Sequence, residues 1–143
     1  MKDTLYKQFL KSGDTLWVYR QNKKIFTSRE GFLFPLIDYI SKFYPQPTEV
    51  TVLDRIMGNA AALLSVKALA VEVWSPIGSE YAINTLDKYS VEWHIFEIVP
   101  YIRAQDGADI CPIEKFSISK DMNLDEFYEA VLGHYPLAGI KQR

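Results

Sequence analysis

The chain has the length and composition of a single globular domain, with 143 residues of which 48% are hydrophobic and 24% are charged. Its 16 basic and 18 acidic side chains give a net charge of -2, and neither sign forms a long run, which argues against a nucleic-acid-binding or membrane-surface protein. We therefore expect one domain over residues 1–143, with a core from about residue 13 to about residue 133.

The cysteine content and the N-terminus indicate the compartment. A single cysteine, Cys111, cannot form an intramolecular disulfide, and MKDTLYKQFLKSGD lacks the apolar segment of a secretory signal. The longest apolar runs are far shorter than the roughly 20 residues of a membrane-spanning helix. We expect a cytoplasmic protein with no nucleic-acid or membrane partner. A small-molecule ligand and a homodimer both stay open, because 3 Trp, 9 Tyr and 8 Phe could line a pocket or an interface.

The first third of the chain predicts a hairpin followed by a helix. Aromatic and β-branched residues in Thr15–Arg20 and Lys24–Ser28 flank a short polar turn, which is typical of two antiparallel strands. From Gly31 to Tyr44 apolar residues recur at helical spacing, with Pro35 tolerated only in the first turn. The residues before Thr15 are polar, and we assign them no element.

The middle of the chain alternates strand-like and helix-like segments. Short apolar runs typical of strands covered on both faces are separated by segments with helical spacing. This alternation favours right-handed βαβ units and a mostly parallel sheet. Together with the hairpin, it predicts an α/β protein with three layers, α/β/α, around a mixed central sheet. The predicted strands are Thr48–Asp54, Leu69–Ser75 and Val91–Val99, and the predicted helices are Arg55–Ala68 and Ser79–Tyr89.

Two more helices are predicted after the last strand. Pro112 suits the first position of a short helix, since its missing N–H and its fixed φ are tolerated there. A final helix is predicted from Leu124 to Gly133, because Asn123 is a good N-cap and glycine is common at helix ends.

The loop after the first parallel strand is the first candidate for a binding site. In an open α/β sheet, ligands collect beyond the carboxyl ends of the strands, where helix N-termini present free N–H groups. Asp54 ends the strand, and Gly58 and Asn59 precede three alanines that let the helix approach its neighbours closely. Helix-on-sheet packing is the preferred explanation of the alanines, whereas Asp54 and Asn59 suit either a local cap or a site.

Cys111 marks the second candidate. If Pro112 begins a helix, Cys111 is its N-cap, and Glu114 could accept a hydrogen bond from the Cys111 N–H as in a capping box. Cysteine is not a preferred N-cap, however, and a helix N-terminus generally lowers a thiol pKa from about 8.5. Lys115 would strengthen that effect. Cys111 is therefore a candidate nucleophile as well as a candidate cap.

Several familiar chemistries lack the residues they need. Structural zinc takes four ligands and catalytic zinc usually three, yet the chain has one cysteine and two histidines, His94 and His134. A site built from Cys111, His94 and a carboxylate matches no common spacing, so we expect no metal and no cofactor. The glycine-rich phosphate and dinucleotide motifs, the zincin motif and the α/β-hydrolase motif are all missing from the sequence.

Taken in order, the two candidate segments resemble the domain of unknown function 1893 family, a small prokaryotic family with a cytidine-deaminase-like fold. Its pattern is an aspartate and a basic residue before G-x-A-A-A-x-L, then V-P-x-I, a D-G loop and C-P-[MI]-E-K. The matching segments here are Asp54-Arg55, Gly58–Leu64, Val99–Ile102, Asp106-Gly107 and Cys111–Lys115. The resemblance covers approximately Thr15 to Ser119 and implies a cytidine-deaminase-like fold.

The resemblance does not imply deaminase activity. Zinc deaminases carry H-x-E on the first of these helices and P-C-x-x-C at the start of the second. The corresponding residues here are Gly58-Asn59-Ala60 or Asn59-Ala60-Ala61, and Cys111–Glu114, so the histidine, the catalytic glutamate and one cysteine are missing. The family loop N-R-D-G-T-G is also replaced by AQDGAD at residues 104–109, which is less suited to an anionic ligand.

Two functions fit these observations. The preferred hypothesis is a non-catalytic module that binds a small molecule, for example a nucleotide-like one, or that acts through self-association. The alternative is a metal-independent enzyme or a thiol- or sulfur-transfer protein, in which Cys111 is the nucleophile and Asp54, Asp106 or Glu114 moves protons. Binding is preferred because Cys111 has no convincing catalytic partner in the sequence. The predicted ligand-binding residues are Asp54, Gly58, Asn59, Asp106, Gly107, Cys111 and Lys115.

Overall fold

A mixed six-stranded sheet lies between helices on both of its faces, which confirms the predicted three-layer α/β/α architecture. The computed structural model describes residues 2–43, 48–104, 107, 109–119 and 121–138. The strands are β1 (Leu16–Arg20), β2 (Lys23–Ser28), β3 (Val50–Asp54), β4 (Ile56–Met57), β5 (Ala70–Ser79) and β6 (Glu92–Val99). The helices are α1 (Lys2–Lys11), α2 (Phe34–Phe43), α3 (Asn59–Lys67), α4 (Glu80–Lys88), α5 (Pro112–Ser119) and α6 (Leu124–Ala138).

The sheet combines the predicted hairpin with parallel strands. β1 pairs antiparallel with both β2 and β3, while β3 and β6 flank β5 in parallel pairings. The strand β4 also pairs in parallel with β5, through Ile56 with Ile77. The prediction of a helix from Arg55 onward was therefore wrong by four residues. Ile56 and Met57 continue the sheet, and α3 begins only at Asn59.

One face of the sheet carries five helices and the larger core. Side chains from α2 to α6 pack there against the inward side chains of β1, β3 and β5. The alanines of α3 are almost fully buried, with Ala60, Ala61 and Ala62 each at most 3% exposed. Small side chains let this central helix touch both the sheet and the neighbouring helices. The packing explanation of the alanines is thus confirmed.

The opposite face carries the helix α1, which the sequence did not predict. Only Tyr6 and Phe9 of α1 are buried, so its apolar face is too narrow to give a clear helical period. Aromatic side chains make up most of the small core beneath it. That core consists of Tyr6, Phe9, Trp17, Tyr19, Leu53 and Trp74.

The last helix starts as predicted and ends later. The Asn123 side-chain oxygen accepts a hydrogen bond from the Glu126 N–H at 2.8 Å, and the Glu126 carboxylate accepts one from the Asn123 N–H at 3.0 Å, which completes a capping box. The predicted end at Gly133 was wrong, because α6 continues to Ala138. Gly133 lies on an exposed helix surface where a single glycine is tolerated. Over the described residues, no helix is both long enough and apolar enough to cross a membrane.

Candidate functional site

A cleft of about 640 Å³ opens beyond the carboxyl end of β3, where the sheet gives way to α3 and α5. Its walls come from five parts of the chain that meet at this end of the sheet. The lining residues are Thr15, Glu30, Gly31, Phe32, Leu33, Asp54, Arg55, Ile56, Gly58, Ala60, Ala61, Ile102, Arg103, Ala104, Cys111, Pro112, Ile113 and Glu114. We call this site the cleft.

The cleft brings together four of the predicted site residues, namely Asp54, Gly58, Cys111 and Glu114. The other three described ones, Asn59, Gly107 and Lys115, are not in its lining. Asn59 is buried within the helical layer, Gly107 occupies a turn with a φ of 75°, and Lys115 is exposed on α5. The remaining predicted residue, Asp106, lies outside the described residues.

Glu114 is the most buried charged residue at the cleft, with 1% of its surface exposed. One carboxylate oxygen accepts a hydrogen bond from the Asn59 N–H at 2.6 Å, and the other accepts one from the Ile102 N–H at 2.7 Å. The predicted capping box within α5 was therefore wrong. The Cys111 N–H donates instead to the Ile102 carbonyl at 2.8 Å, because Glu114 points away from its own helix end.

The Glu114 carboxylate caps a different helix, α3. Asn59 is the first residue of α3, and the N-cap residue Gly58 has no side chain to satisfy the free N–H groups. A carboxylate at this position also interacts favourably with the positive end of the helix dipole. A Cβ at Gly58 would lie 3.1 Å from a Glu114 oxygen and 3.1 Å from Ile102 Cγ1, so glycine makes room for the cap.

The Asn59 side chain joins three helices behind the cleft. Its amide nitrogen donates to the Ser117 hydroxyl at 3.1 Å and to the Ser117 carbonyl at 3.3 Å, and its oxygen accepts a hydrogen bond from the Thr85 hydroxyl. The Ser117 hydroxyl in turn donates to the Glu114 carbonyl at 2.6 Å. These bonds connect α3, α4 and α5. Asn59 therefore has a structural role, which the local sequence could not separate from a role in binding.

Asp54 supplies an ionisable group at the floor of the cleft. Removal from water raises the pKa of its carboxyl from the ordinary 3.8 to about 7, although the backbone N–H groups of Arg55 and Ile56 donate to it and act in the opposite direction. Near neutral pH the carboxyl is therefore populated in both protonation states. It can accept a hydrogen bond from a ligand, and in the protonated form it can also donate one.

Arg55 lies next to Asp54 but points to the other side of the sheet. Its guanidinium donates to the carbonyl oxygens of Phe9, Ser12 and Asp14 at 2.9, 2.7 and 2.9 Å and lies over the Phe9 ring. The side chain therefore fixes the C-terminal end of α1, whose last carbonyls have no partner within the helix. Its hydrogen-bonding groups are directed to the backbone and not to the cleft.

Cys111 is a partly exposed free thiol at the start of α5, on the wall of the cleft. A ligand in the cleft could reach it. The structure does not bring His94 to it, because His94 lies on β6 against Trp74, outside the cleft lining. The side chain of His134 lies outside the described residues. Among the site residues predicted from sequence, two with a carboxyl group line the cleft together with the thiol. They are Asp54 and Glu114.

Phe32 is a cleft residue that the sequence analysis missed. Its side chain is 69% exposed, and its backbone has a φ of 55°, in the left-handed region that bulky residues rarely adopt. The segment Gly31–Leu33 was predicted as the start of a helix, whereas the structure forms a turn there and α2 begins at Phe34. Nothing in the local sequence distinguishes an aromatic side chain held at the mouth of a cleft from one in a core.

Comparisons with known proteins identify the family of this chain. The family model described as "Domain of unknown function (DUF1893)" matches residues 5–132. A crystal structure of a DUF1893 family protein from Thermotoga maritima is 25% identical, with a TM-score of 0.84 over 94% of this chain and 89% of that one. The curated proteins give no match. The family match and the shared fold together show that the chain belongs to the DUF1893 family.

Proposed function

We propose that this chain is a cytoplasmic binding module whose cleft holds a small, neutral, planar molecule of the nucleobase or nucleoside class. The observation that carries the proposal is the exposed ring of Phe32 at the mouth of a cleft of about 640 Å³. Ligand pockets commonly have volumes of about 300–1,000 Å³. An aromatic residue kept in a strained backbone conformation at such a place is typical of a functional contact.

Stacking explains why an aromatic ring would be kept there. A nucleobase stacked on an aromatic side chain is stabilised by about 1–3 kcal/mol, whichever base it is. Asp54 complements this contact from the floor of the cleft, because a carboxyl with a pKa of about 7 can both donate and accept hydrogen bonds. The edge of a nucleobase offers the matching pair of a donor and an acceptor.

A neutral ligand is preferred over a phosphate. Free N–H groups at a helix N-terminus can bind phosphate, but the first N–H of α3, that of Asn59, and the neighbouring N–H of Ile102 already donate to Glu114. The Glu114 carboxylate also places a negative charge where a phosphate would have to lie. The guanidinium of Arg55 is likewise bound to backbone carbonyls, and that of Arg103 donates to the Gly107 carbonyl at 3.3 Å and lies over the Tyr101 ring.

The position of the cleft supports a nucleobase-like ligand. It lies between α3 and α5, which begin with the two segments that the resemblance to zinc deaminases aligns with H-x-E and P-C-x-x-C. A cytidine-deaminase-like relationship would make the cleft the counterpart of a base-binding pocket. In that alignment Gly58-Asn59-Ala60 or Asn59-Ala60-Ala61 would replace the H-x-E residues of that pocket, so we propose binding without zinc-dependent deamination.

The accessible thiol of Cys111 in the cleft favours a second candidate, a metal-independent thiol enzyme. Its main difficulty is the missing partner. Both oxygens of Glu114 accept hydrogen bonds from backbone N–H groups, so of the carboxyl groups predicted from sequence that line the cleft, Asp54 is the one placed to move a proton. Replacement of Cys111 by serine separates the two functions. A binding module keeps its affinity for nucleosides in C111S, whereas a thiol enzyme loses its covalent adduct.

Calorimetric titration with uridine, cytidine, adenosine and guanosine tests the binding proposal. We expect at least one nucleoside to bind with a dissociation constant below about 1 mM. Replacement of Phe32 by alanine should weaken that binding by about 5- to 100-fold, since it removes the stacking surface. F96A is the matched control, because Phe96 is similarly exposed at 63% but lies on β6, outside the cleft. The proposal is wrong if none of the four binds, or if F32A and F96A have the same effect.

A further inference from the structure

A second cluster of polar side chains lies far from the cleft, on the sheet face that α1 covers. Glu72 of β5 is paired in register with Glu92 of β6, and Trp74 is paired with His94 two residues further along. Because side chains alternate between the faces of a strand, these four project from the same face. Glu72 is 3% exposed, whereas Glu92 is open to solvent. We call Glu72, Glu92 and His94 the Glu72 cluster.

The three side chains of the cluster converge on one point. The Nε2 atom of His94 lies 3.0 Å from an oxygen of Glu72 and 2.7 Å from an oxygen of Glu92. A single ring nitrogen carries at most one hydrogen, so it cannot donate a full hydrogen bond to both carboxylates. A cation at the centre of the three atoms can bind all of them at once. Ligands about 2.0–2.1 Å from a tetrahedral ion are about 3.3 Å apart. The two observed separations, 3.0 and 2.7 Å, are somewhat shorter, and all three ligand atoms lie within 4.8 Å of one another.

We propose that Glu72, Glu92 and His94 together form a binding site for one zinc ion. One imidazole nitrogen with two carboxylate oxygens is a ligand set that suits zinc, whereas calcium and magnesium prefer oxygen ligands alone. Three protein ligands leave a fourth position for water. The site is independent of the cleft, since it lies at the amino ends of β5 and β6 and the cleft lies beyond the carboxyl end of β3.

Trp74 holds two of the proposed ligands in place. Its indole N–H donates to the Glu72 carboxylate at 2.9 Å, and its ring stacks on the His94 imidazole with 3.9 Å between ring centres. Outer groups that orient a metal ligand in this way commonly change metal affinity by about 10- to 100-fold. Glu72 and His94 are therefore held by the sheet and the indole before any ion binds.

Lys2 would compete with a metal ion for the Glu72 carboxylate. Its ammonium group pairs with the second oxygen of Glu72, while 57% of its side chain stays exposed to solvent. An ammonium group beside a buried carboxylate supplies the positive charge that a metal ion would otherwise bring. Zinc binding would compete with this pair, and Lys2 can leave at low cost because most of its side chain is already in water.

Calorimetric titration of the chelator-treated protein with zinc chloride tests the proposal. We expect one equivalent to bind with a dissociation constant of about 10 µM or lower, and E92Q and H94Q each to weaken binding by at least about 100-fold, since even outer groups account for 10- to 100-fold. Replacement of Lys2 by methionine should strengthen binding several-fold, a gain that misfolding cannot produce. Cobalt in place of zinc should give the visible absorption of a four-coordinate site.

C111S is the matched control, because it removes the thiol and leaves the Glu72 cluster unchanged. Retained affinity in C111S supports the site. The proposal is overturned if wild-type protein binds no stoichiometric zinc, if binding survives in both E92Q and H94Q, or if it is lost in C111S. An unchanged affinity in K2M would also contradict it, since the ion would then not bind the Glu72 carboxylate with which Lys2 pairs.

Discussion

Glu114 shows how one residue can look catalytic in sequence and serve as a structural link in the fold. The sequence places it three residues after the cysteine, where a local capping box is the natural expectation. Its actual partners, the N–H groups of Asn59 and Ile102, are 55 and 12 residues away in the chain. Local pattern cannot reveal a cap that comes from another helix. The buried carboxylate holds α3, α5 and the loop after β6 together at the edge of the cleft.

Replacement of Glu114 by glutamine tests this structural role. The glutamine side chain would place its NH₂ group, a donor, against the N–H of either Asn59 or Ile102, which is also a donor. That backbone N–H would then be left without an acceptor. We expect the free energy of unfolding to fall by about 2–4 kcal/mol. Urea unfolding of E114Q measures the loss, and E129Q at an exposed position of α6 should change stability by less than about 0.5 kcal/mol. Equal stabilities of E114Q and wild type would contradict the structural role.

Asp54 makes stability depend on pH in an unusual direction. Folding raises the pKa of its carboxyl from 3.8 to about 7, so between these pH values the folded chain keeps a proton that the unfolded chain releases. The stabilising contribution of Asp54 is full below about pH 4 and is lost as the pH rises to about 7. A shift of about three units corresponds to at most about 4 kcal/mol.

Replacement of Asp54 by asparagine should remove this dependence. Unfolding free energies of wild type and D54N, measured from pH 4 to pH 8, should diverge, with wild type losing up to about 4 kcal/mol relative to D54N as the pH rises. The asparagine oxygen can still accept the N–H groups of Arg55 and Ile56, so the local backbone should be preserved. Parallel pH profiles for the two proteins would show that Asp54 has an ordinary pKa.

At the scale of elements, α1 depends on a side chain that belongs to the sheet. Its own apolar contacts are few, and Arg55 fixes its C-terminal end through three backbone carbonyls. Arginine suits this role because its planar group carries five N–H donors in a fixed arrangement. Arg55 also lines the cleft, so the packing of α1 on the sheet and the shape of the cleft depend on the same residue.

Replacement of Arg55 by alanine should loosen α1 without unfolding the sheet. We expect amide hydrogen exchange in Lys2–Lys11 to accelerate by at least about 10-fold, while β5 stays protected, because α1 becomes a locally unstable unit. R29A is the control, since Arg29 is exposed and its ion pair with Asp14 should contribute less than about 1 kcal/mol. Uniformly faster exchange across the chain would indicate global destabilisation and contradict a local role for Arg55.

At the scale of the whole molecule, the order of the elements could be predicted and the long-range contacts could not. The hairpin, the parallel strands and most helices follow from apolar spacing, which is a local property. The position of α1 depends on aromatic contacts with β1, β3 and β5, which are distant in sequence. Asp54, Gly58 and Cys111 were correctly placed near the carboxyl end of a strand. Phe32 reaches the cleft only through the folded path of the chain.

The two proposed sites lie at opposite ends of the strands, and α1 runs between them. Lys2 at the start of this helix pairs with Glu72, and the carbonyls at its end bind Arg55 beside the cleft. The ten residues of α1 span about 15 Å, which separates the Lys2 contact at the start of the helix from the Arg55 contacts at its end. The sequence contained both glutamates and the histidine, but their convergence required the register of β5 and β6.

The central claim, that the cleft binds a neutral nucleoside, is tested most directly by following backbone amide signals of the labelled protein by NMR during titration. We predict that a nucleoside shifts the signals of Phe32, Asp54 and Cys111, and that its 5′-monophosphate binds no more tightly, because Glu114 already occupies the N–H groups that would bind phosphate. Unchanged signals at millimolar nucleoside, shifts confined to residues outside the cleft, or clearly tighter binding of the monophosphate would contradict it.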